Sequence, residues 1–223
     1  MKVGFVSLGC PKNQLDTVVM LHELVDAGYE ITPDETEADV IVVNTCAFIE
    51  SAKRESIDNI LDVSWLKENR DLKAIIVTGC LAERYRNAIF DQIPEVDAVL
   101  GVGSIHKIVD AVKAVGEKGK NDSRENEGCD NRCAYCAIPS IRGPFRSRPM
   151  EELVEEAKQL EELGVKELVV IAQDITRYGL DLYGSYKLAE LLRRITEATN
   201  IPWIRLLYCY PDKVTDELVN EIR

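Results

Sequence analysis

The sequence predicts an α/β protein in two parts, a parallel-sheet unit at the N-terminus and a second unit of the same alternating kind behind it. Three observations carry this. Short β-rich apolar runs alternate with amphipathic helical segments along nearly the whole chain. A polar stretch without periodicity, GEKGKNDSRENE at 116–127, interrupts the alternation once and reads as a linker. The 223 residues are 46% apolar, enough to fill ordinary cores.

The elements follow in order. Val3–Ser7, Val40–Asn44 and Ala74–Thr78 are short runs rich in β-branched residues and read as strands. Helical periodicity follows each of them, at about Gln14–Ala27, Ser51–Lys67 and Ala82–Ile93, and Gly28 is placed to stop the first helix. A short run at Ala98–Leu100 and a helix from about Ser104 to Val115 complete the first domain, 1–115. The second domain, 128–223, opens with a loop to Pro149. A helix at Glu151–Leu163, a strand at Glu167–Ala172, a helix at Lys187–Thr196, a strand at Trp203–Leu207 and a helix from Thr215 follow in βα order.

Composition narrows the partners. A net charge of −12 argues against a broad phosphate-neutralising surface and against anionic membranes. Direct nucleic-acid binding is therefore not expected, although Arg142, Arg146 and Arg148 form a local basic stretch that reads either as a partner-steering patch or as ordinary solvated loop arginines. No apolar run approaches the roughly 18 residues of a membrane span. The start, MKVGFVSLGC, imitates a lipoprotein cleavage site, but its apolar part, Val3 to Leu8, falls short of the about 7–15 residues a secretory core needs and reads better as a strand. Seven cysteines without a secretory signal point to a reducing compartment, the cytoplasm, where thiols bind metal or do chemistry more often than they pair.

The sharpest motif is GCDNRCAYC, in which Cys129, Cys133 and Cys136 form C-x3-C-x2-C with Tyr135 before the last cysteine. Three thiolates hold three irons of a cubane and leave the fourth open to a small molecule, as a catalyst needs and a four-thiolate electron carrier does not. Zinc is the competitor. It favours paired C-x2-C units or Cys/His sets, and the two histidines, His22 and His106, fall on predicted helices away from this loop. A second pattern is positional: Cys10, Cys46 and Cys80 each follow a predicted strand, in LGC, NTC and TGC. In a parallel sheet the strands' carboxyl ends share one edge, so these three converge on a second candidate cluster site; three separately buried cysteines are the plain alternative. Cys209, in LLYCYP, reads as a packed strand-end residue.

Together these motifs resemble the radical S-adenosylmethionine methylthiotransferases, in which a domain with three cysteines precedes the C-x3-C-x2-C domain. SLGCPKN, IPSIRGPFRSRP, AQDITRYGLDLYG and WIRLLYCYP are similar to the branch that modifies a ribosomal protein rather than the branch that modifies tRNA. The resemblance implies a flavodoxin- or Rossmann-like N-terminal domain and part of a radical S-adenosylmethionine (βα) partial barrel. It implies two [4Fe–4S] clusters and S-adenosylmethionine as cofactors. On this resemblance the cluster on Cys129, Cys133 and Cys136 cleaves S-adenosylmethionine to a 5′-deoxyadenosyl radical, which removes a β-hydrogen from an aspartate of small-subunit ribosomal protein twelve. The cluster on Cys10, Cys46 and Cys80 presents the sulfur, and a second S-adenosylmethionine supplies the methyl group. The implied partners are that protein or the ribosome, and an electron donor protein. Tyr135 is implied to pack near the adenine or cluster, with simple core packing as the alternative. Gln173 and Asp174, just past a strand end, are candidates for contact with S-adenosylmethionine or substrate, with capping of the next turn as the alternative.

The chain departs from the family pattern in two ways. The family places a strand directly before the cluster loop, yet here the polar 116–127 leads straight into Gly128, so the linker is shortened or residues are missing between 115 and 128. Only two clear strands of a barrel of about six then precede Arg223, so the chain reads as a fragment. Methylthiolation of a tRNA adenosine, and an iron–sulfur binding module without catalysis, are the competing functions.

Overall fold

The strands of the first unit owe their burial to composition. In Val40–Thr45 (β3) and Ala74–Gly79 (β4) every residue is buried, as expected for continuous apolar strands covered on both faces. The computed structural model describes residues 1–114, 128–131 and 133–222. The expected linker, 116–127, and the end of the helix expected to reach Val115 lie outside the described residues. The chain divides into two compact units, Met1–Asn126 with Cys133–Arg142, and Glu127–Arg132 with Gly143–Arg223.

In the first unit, Lys2–Ser7 (β1), Glu30–Thr32 (β2), β3, β4 and Ala98–Leu100 (β5) form one parallel sheet in the order β2-β1-β3-β4-β5. Alternation along the strands sends side chains to two separate cores. Ile41, Val43, Ile75 and Val77 meet Ile60 and Val63 of Glu50–Asn69 (α2) and Leu81 and Ile89 of Cys80–Gln92 (α3). Val40, Val42, Ala74 and Ile76 meet Met20 and Leu24 of Pro11–Asp26 (α1) and Ile108 and Val112 of Ile108–Lys113 (α4). The first helix begins three residues before the expected Gln14, because Pro11 at its first position has its φ already set and Cys10 supplies the extended residue before it. The helix expected from Ser104 is split into a 3₁₀ stretch, Val102–Lys107, and α4. Ile138–Arg142 (α5), a short helix absent from the sequence reading, also belongs here: Ile141 is buried in the core of α2 and α3, and Ala137 packs against it.

The second unit holds Met150–Glu162 (α6), Glu167–Ile171 (β6), Leu180–Tyr183 (α7), Leu188–Ala198 (α8), Trp203–Leu207 (β7) and Asp216–Ile222 (α9). The two strands pair in parallel. Leu168, Val170, Ile204 and Leu206 face a core built on Leu188, Leu191, Leu192 and Ile195, whereas Val169 and Trp203 on the alternate positions are exposed. No helix among the described residues is long and apolar enough to cross a membrane.

Candidate functional site

Strand order makes the site of the first unit. In a sheet ordered 2-1-3-4-5 the chain reverses direction of travel between β1 and β3, and the loops leaving those two strands diverge to opposite faces and open a crevice at their carboxyl ends. Cys10 caps α1 after β1, Cys46 follows β3, and Cys80 opens α3 after β4, so the three stand at the ends of three neighbouring strands. Gly9, at φ +92°, lies so close to Cys46 that a Cβ there would come 2.8 Å from the Cys46 Cβ and 3.3 Å from its sulfur. Cys46 is stapled to α2: its N–H donates to the Ser56 hydroxyl at 2.9 Å, and that hydroxyl donates back to the Cys46 carbonyl at 2.9 Å. Burial pushes the Cys80 thiol up, and the Arg142 guanidinium works against this.

Asn13 holds the crevice walls together. It is fully buried; its Nδ2 donates to the Leu8 carbonyl at 3.1 Å and the Thr45 carbonyl at 2.8 Å, while its own carbonyl accepts from Asn44 Nδ2 at 2.7 Å. Its Oδ1 accepts from Arg142 Nη2 at 2.8 Å and lies 3.8 Å from the Cys80 sulfur. Arg142, expected on a basic surface stretch, is instead 3% exposed. Its Nη2 is 2.7 Å from Asp16 Oδ2, and Lys12 Nζ is 3.9 Å from the other oxygen of the same carboxylate. The correction has a simple cause: α5 packs on the first unit, and the buried guanidinium is there met by a buried carboxylate. Arg146 is exposed, and Arg148 pairs with Glu152 and Glu156.

Among the described residues, no three His, Cys, Asp or Glu side chains surround the position of a single metal ion. A cubane spreads its thiolates more widely than one ion does, and the donor set of Cys10, Cys46 and Cys80, with a residue lacking Cβ against Cys46, fits a bulky soft group.

The cysteines of the second motif are distributed between the units. Cys129, in the second unit, is buried, and the backbone N–H of Asn131 donates to its sulfur at 3.4 Å. The loop around it is fixed by Asp130, which accepts from the Phe145 N–H at 3.0 Å, and by Asn131, whose Nδ2 donates to Asp174 Oδ2 at 2.6 Å. Cys133 and Cys136, in the first unit, are half-buried and joined by a turn in which the Cys136 N–H donates to the Cys133 carbonyl at 3.0 Å. Tyr135 is 88% exposed, which removes the core-packing alternative. Asp174 caps the turn Ile175–Arg177 by accepting from the Thr176 N–H at 3.2 Å, while Gln173 beside it is half-buried. His22 and His106 are exposed and pair with Asp26 and Glu23. Cys209, expected to be packed, is exposed, because β7 ends two residues earlier. Asn13, Asp16, Ser56 and the inward role of Arg142 escaped the sequence reading. A usable signal was present for Arg142 alone, the one charge in the otherwise weakly polar IPSIR.

Comparison with known proteins gives two family matches, Uncharacterized protein family UPF0004 over residues 2–101 and the Radical SAM superfamily over residues 126–223. Proteins named ribosomal protein uS12 methylthiotransferase RimO are similar along nearly the whole chain. The one from Desulforamulus reducens is 48% identical over 97% of this chain, that from Clostridium tetani 48% over 99%, and that from Lachnoclostridium phytofermentans 49% over 100%. The chain spans about half the length of these relatives, 55–56%. The last match runs over 248 positions against the 223 residues here, a difference of 25 positions that have no counterpart in this chain. With a UPF0004 region ahead of a Radical SAM superfamily region and this degree of identity throughout, the chain is similar over nearly its whole length to proteins named RimO-type methylthiotransferases.

Proposed function

We propose that the chain serves a methylthiotransferase that adds a methylthio group to the β-carbon of an aspartate in ribosomal protein uS12. The observation that carries the reading is the placement of Cys10, Cys46 and Cys80 at the ends of three adjacent strands, in one chain with the Cys129, Cys133 and Cys136 motif. Each triad would hold one [4Fe–4S] cluster. When bound, the cluster of the second motif supplies the electron that cleaves S-adenosylmethionine, and that of the first triad supplies sulfur at its open iron. The protein's part is positional. The Asn131 N–H on the Cys129 sulfur favours the thiolate, and the Asn131–Asp174 hydrogen bond fixes the loop that bears it. Gln173 would face S-adenosylmethionine or substrate, Asp174, 2% exposed and with both oxygens taken by Thr176 and Asn131, would hold the loop beside it, and the exposed Tyr135 has an aromatic face open to an adenine or a cluster. Asn13 and Ser56 hold the first triad in place, which orients the sulfur to be transferred.

A two-domain division, 1–115 and 128–223 joined by 116–127, is supported by the family matches at 2–101 and 126–223, with Cys133–Arg142 of the second segment clustering with the first unit. The proposal includes the ribosome and an electron donor protein as partners and a cytoplasmic setting, which the seven free thiols and a ribosomal substrate favour. The test is anaerobic incubation of the reconstituted chain with reductant, S-adenosylmethionine, uS12 and tRNA, followed by mass spectrometry of both substrates. A methylthio gain on a uS12 aspartate supports the reading. A methylthio-adenosine in tRNA with unmodified uS12 assigns the chain to the other branch, and iron binding without cleavage of S-adenosylmethionine makes it a binding module.

A further inference from the structure

Arg142 is a buried charge in a segment that follows the second cysteine motif, yet its partners belong to the first triad's site. A guanidinium removed from water costs several kcal/mol unless paired and hydrogen-bonded, and Asp16, itself 5% exposed, meets that need at 2.7 Å. Neutralisation would have required nothing more. The same group also donates to Asn13 Oδ1, which lies 3.8 Å from the Cys80 sulfur, and the Asn13 amide in turn grips the Leu8 and Thr45 carbonyls of the loops bearing Cys10 and Cys46. One planar side chain is thus connected through Asn13 to all three cysteines of the triad. A guanidinium does not lose its proton at any ordinary pH, so it is a permanent cation at this place.

We infer that Arg142 is a positioning residue for the group held by Cys10, Cys46 and Cys80. It places a fixed positive charge on the Asn13 amide oxygen that also meets the Cys80 sulfur, and through α5 it ties this site to the chain segment carrying Cys133 and Cys136. The inference rests on the reading that the first triad holds a cluster. A cation near a ligand sulfur favours the reduced, more negative form of a cluster and raises its midpoint potential, because net charge and hydrogen bonds to sulfur set that potential. The Asp16 carboxylate acts in the opposite sense.

The experiment is an EPR-monitored redox titration, with iron analysis, of the full chain carrying Cys129→Ala, Cys133→Ala and Cys136→Ala, alone and with Arg142→Gln, Arg142→Lys or Asp16→Asn. The parent should hold about four irons. Arg142→Gln, which keeps an amide donor but no charge, is expected to move the midpoint to more negative values, Arg142→Lys to leave it near the parent, and Asp16→Asn to move it to more positive values. Opposite signs for Arg142→Gln and Asp16→Asn are the signature, since a purely structural brace would disturb the site alike from either side. Shifts of the same sign, no shift, or equal loss of iron in all three variants overturn the inference. A parent without iron sinks the cluster reading itself, before any variant is compared.

Discussion

Asn13 uses both ends of its amide inside a dry interior, so its removal strands several partners at once. Asn13→Ala leaves the Leu8 and Thr45 carbonyls and one Arg142 N–H without their bonds. Each buried group left unsatisfied costs about 1–3 kcal/mol, and partial relaxation puts the expected loss at about 2–4 kcal/mol in urea unfolding, with reduced iron uptake at the first triad. Gly9 offers a contrast with Gly28. Both have positive φ, +92° and +85°, but a Cβ at Gly9 strikes Cys46 whereas one at Gly28 meets nothing within 4 Å. Gly9→Ala should cost about 1–3 kcal/mol and lower the iron bound per chain, while Gly28→Ala should cost about 1–2 kcal/mol for the backbone conformation alone and leave iron unchanged. Equal iron loss in both variants would mean that contact with Cys46 is irrelevant.

At the scale of elements, the central strands were legible because burial on both faces writes an uninterrupted apolar run, and their carboxyl ends fixed the positions of Cys10, Cys46 and Cys80. The edge strand β2 was not legible. It has three residues, Glu30–Thr32, and pairs with β1 alone, too short for any alternation to show. Arg142 read as surface for a different reason: the lone charge in IPSIR marks it as a candidate, but its partner Asp16 is 126 residues away and no local pattern names that partner. Truncating Ile75, fully buried between β4 and the helices of its face, should cost about 2–5 kcal/mol as Ile75→Ala. The sheet also carries an acid-sensitive joint at Asp39, which precedes β3. Its carboxylate accepts from the Lys73 ammonium at 2.6 Å and from the Lys2 N–H at 2.7 Å, and these bonds, the Lys73 one foremost, hold its pKa below the ordinary 3.8 against the effect of burial. A depressed carboxylate contributes stability that is present above the unfolded pKa and is lost as pH falls through the folded value. Asp39→Asn should therefore cost about 1 kcal/mol at neutral pH, with the difference from the parent vanishing well below about pH 4. A constant difference across that range would contradict the assignment.

For the whole molecule, charge and composition did not identify the relatives, and the resemblance rested on motifs spread over both halves. The two units show how those motifs are distributed. The segment carrying Cys133 and Cys136 packs with the first triad's sheet, and Cys129 is held in the second unit by its own hydrogen bonds. The central claim is that the two triads bind two separate clusters. It is tested most directly by anaerobic iron and sulfide analysis with EPR on the reconstituted chain, on the variant with Cys10, Cys46 and Cys80 changed to Ala, and on the variant with Cys129, Cys133 and Cys136 changed to Ala. About eight irons in the parent and about four in each variant, with S-adenosylmethionine perturbing the signal only where the second motif is intact, is the predicted result. Four irons or fewer in the parent, unchanged by loss of the first triad, would contradict it.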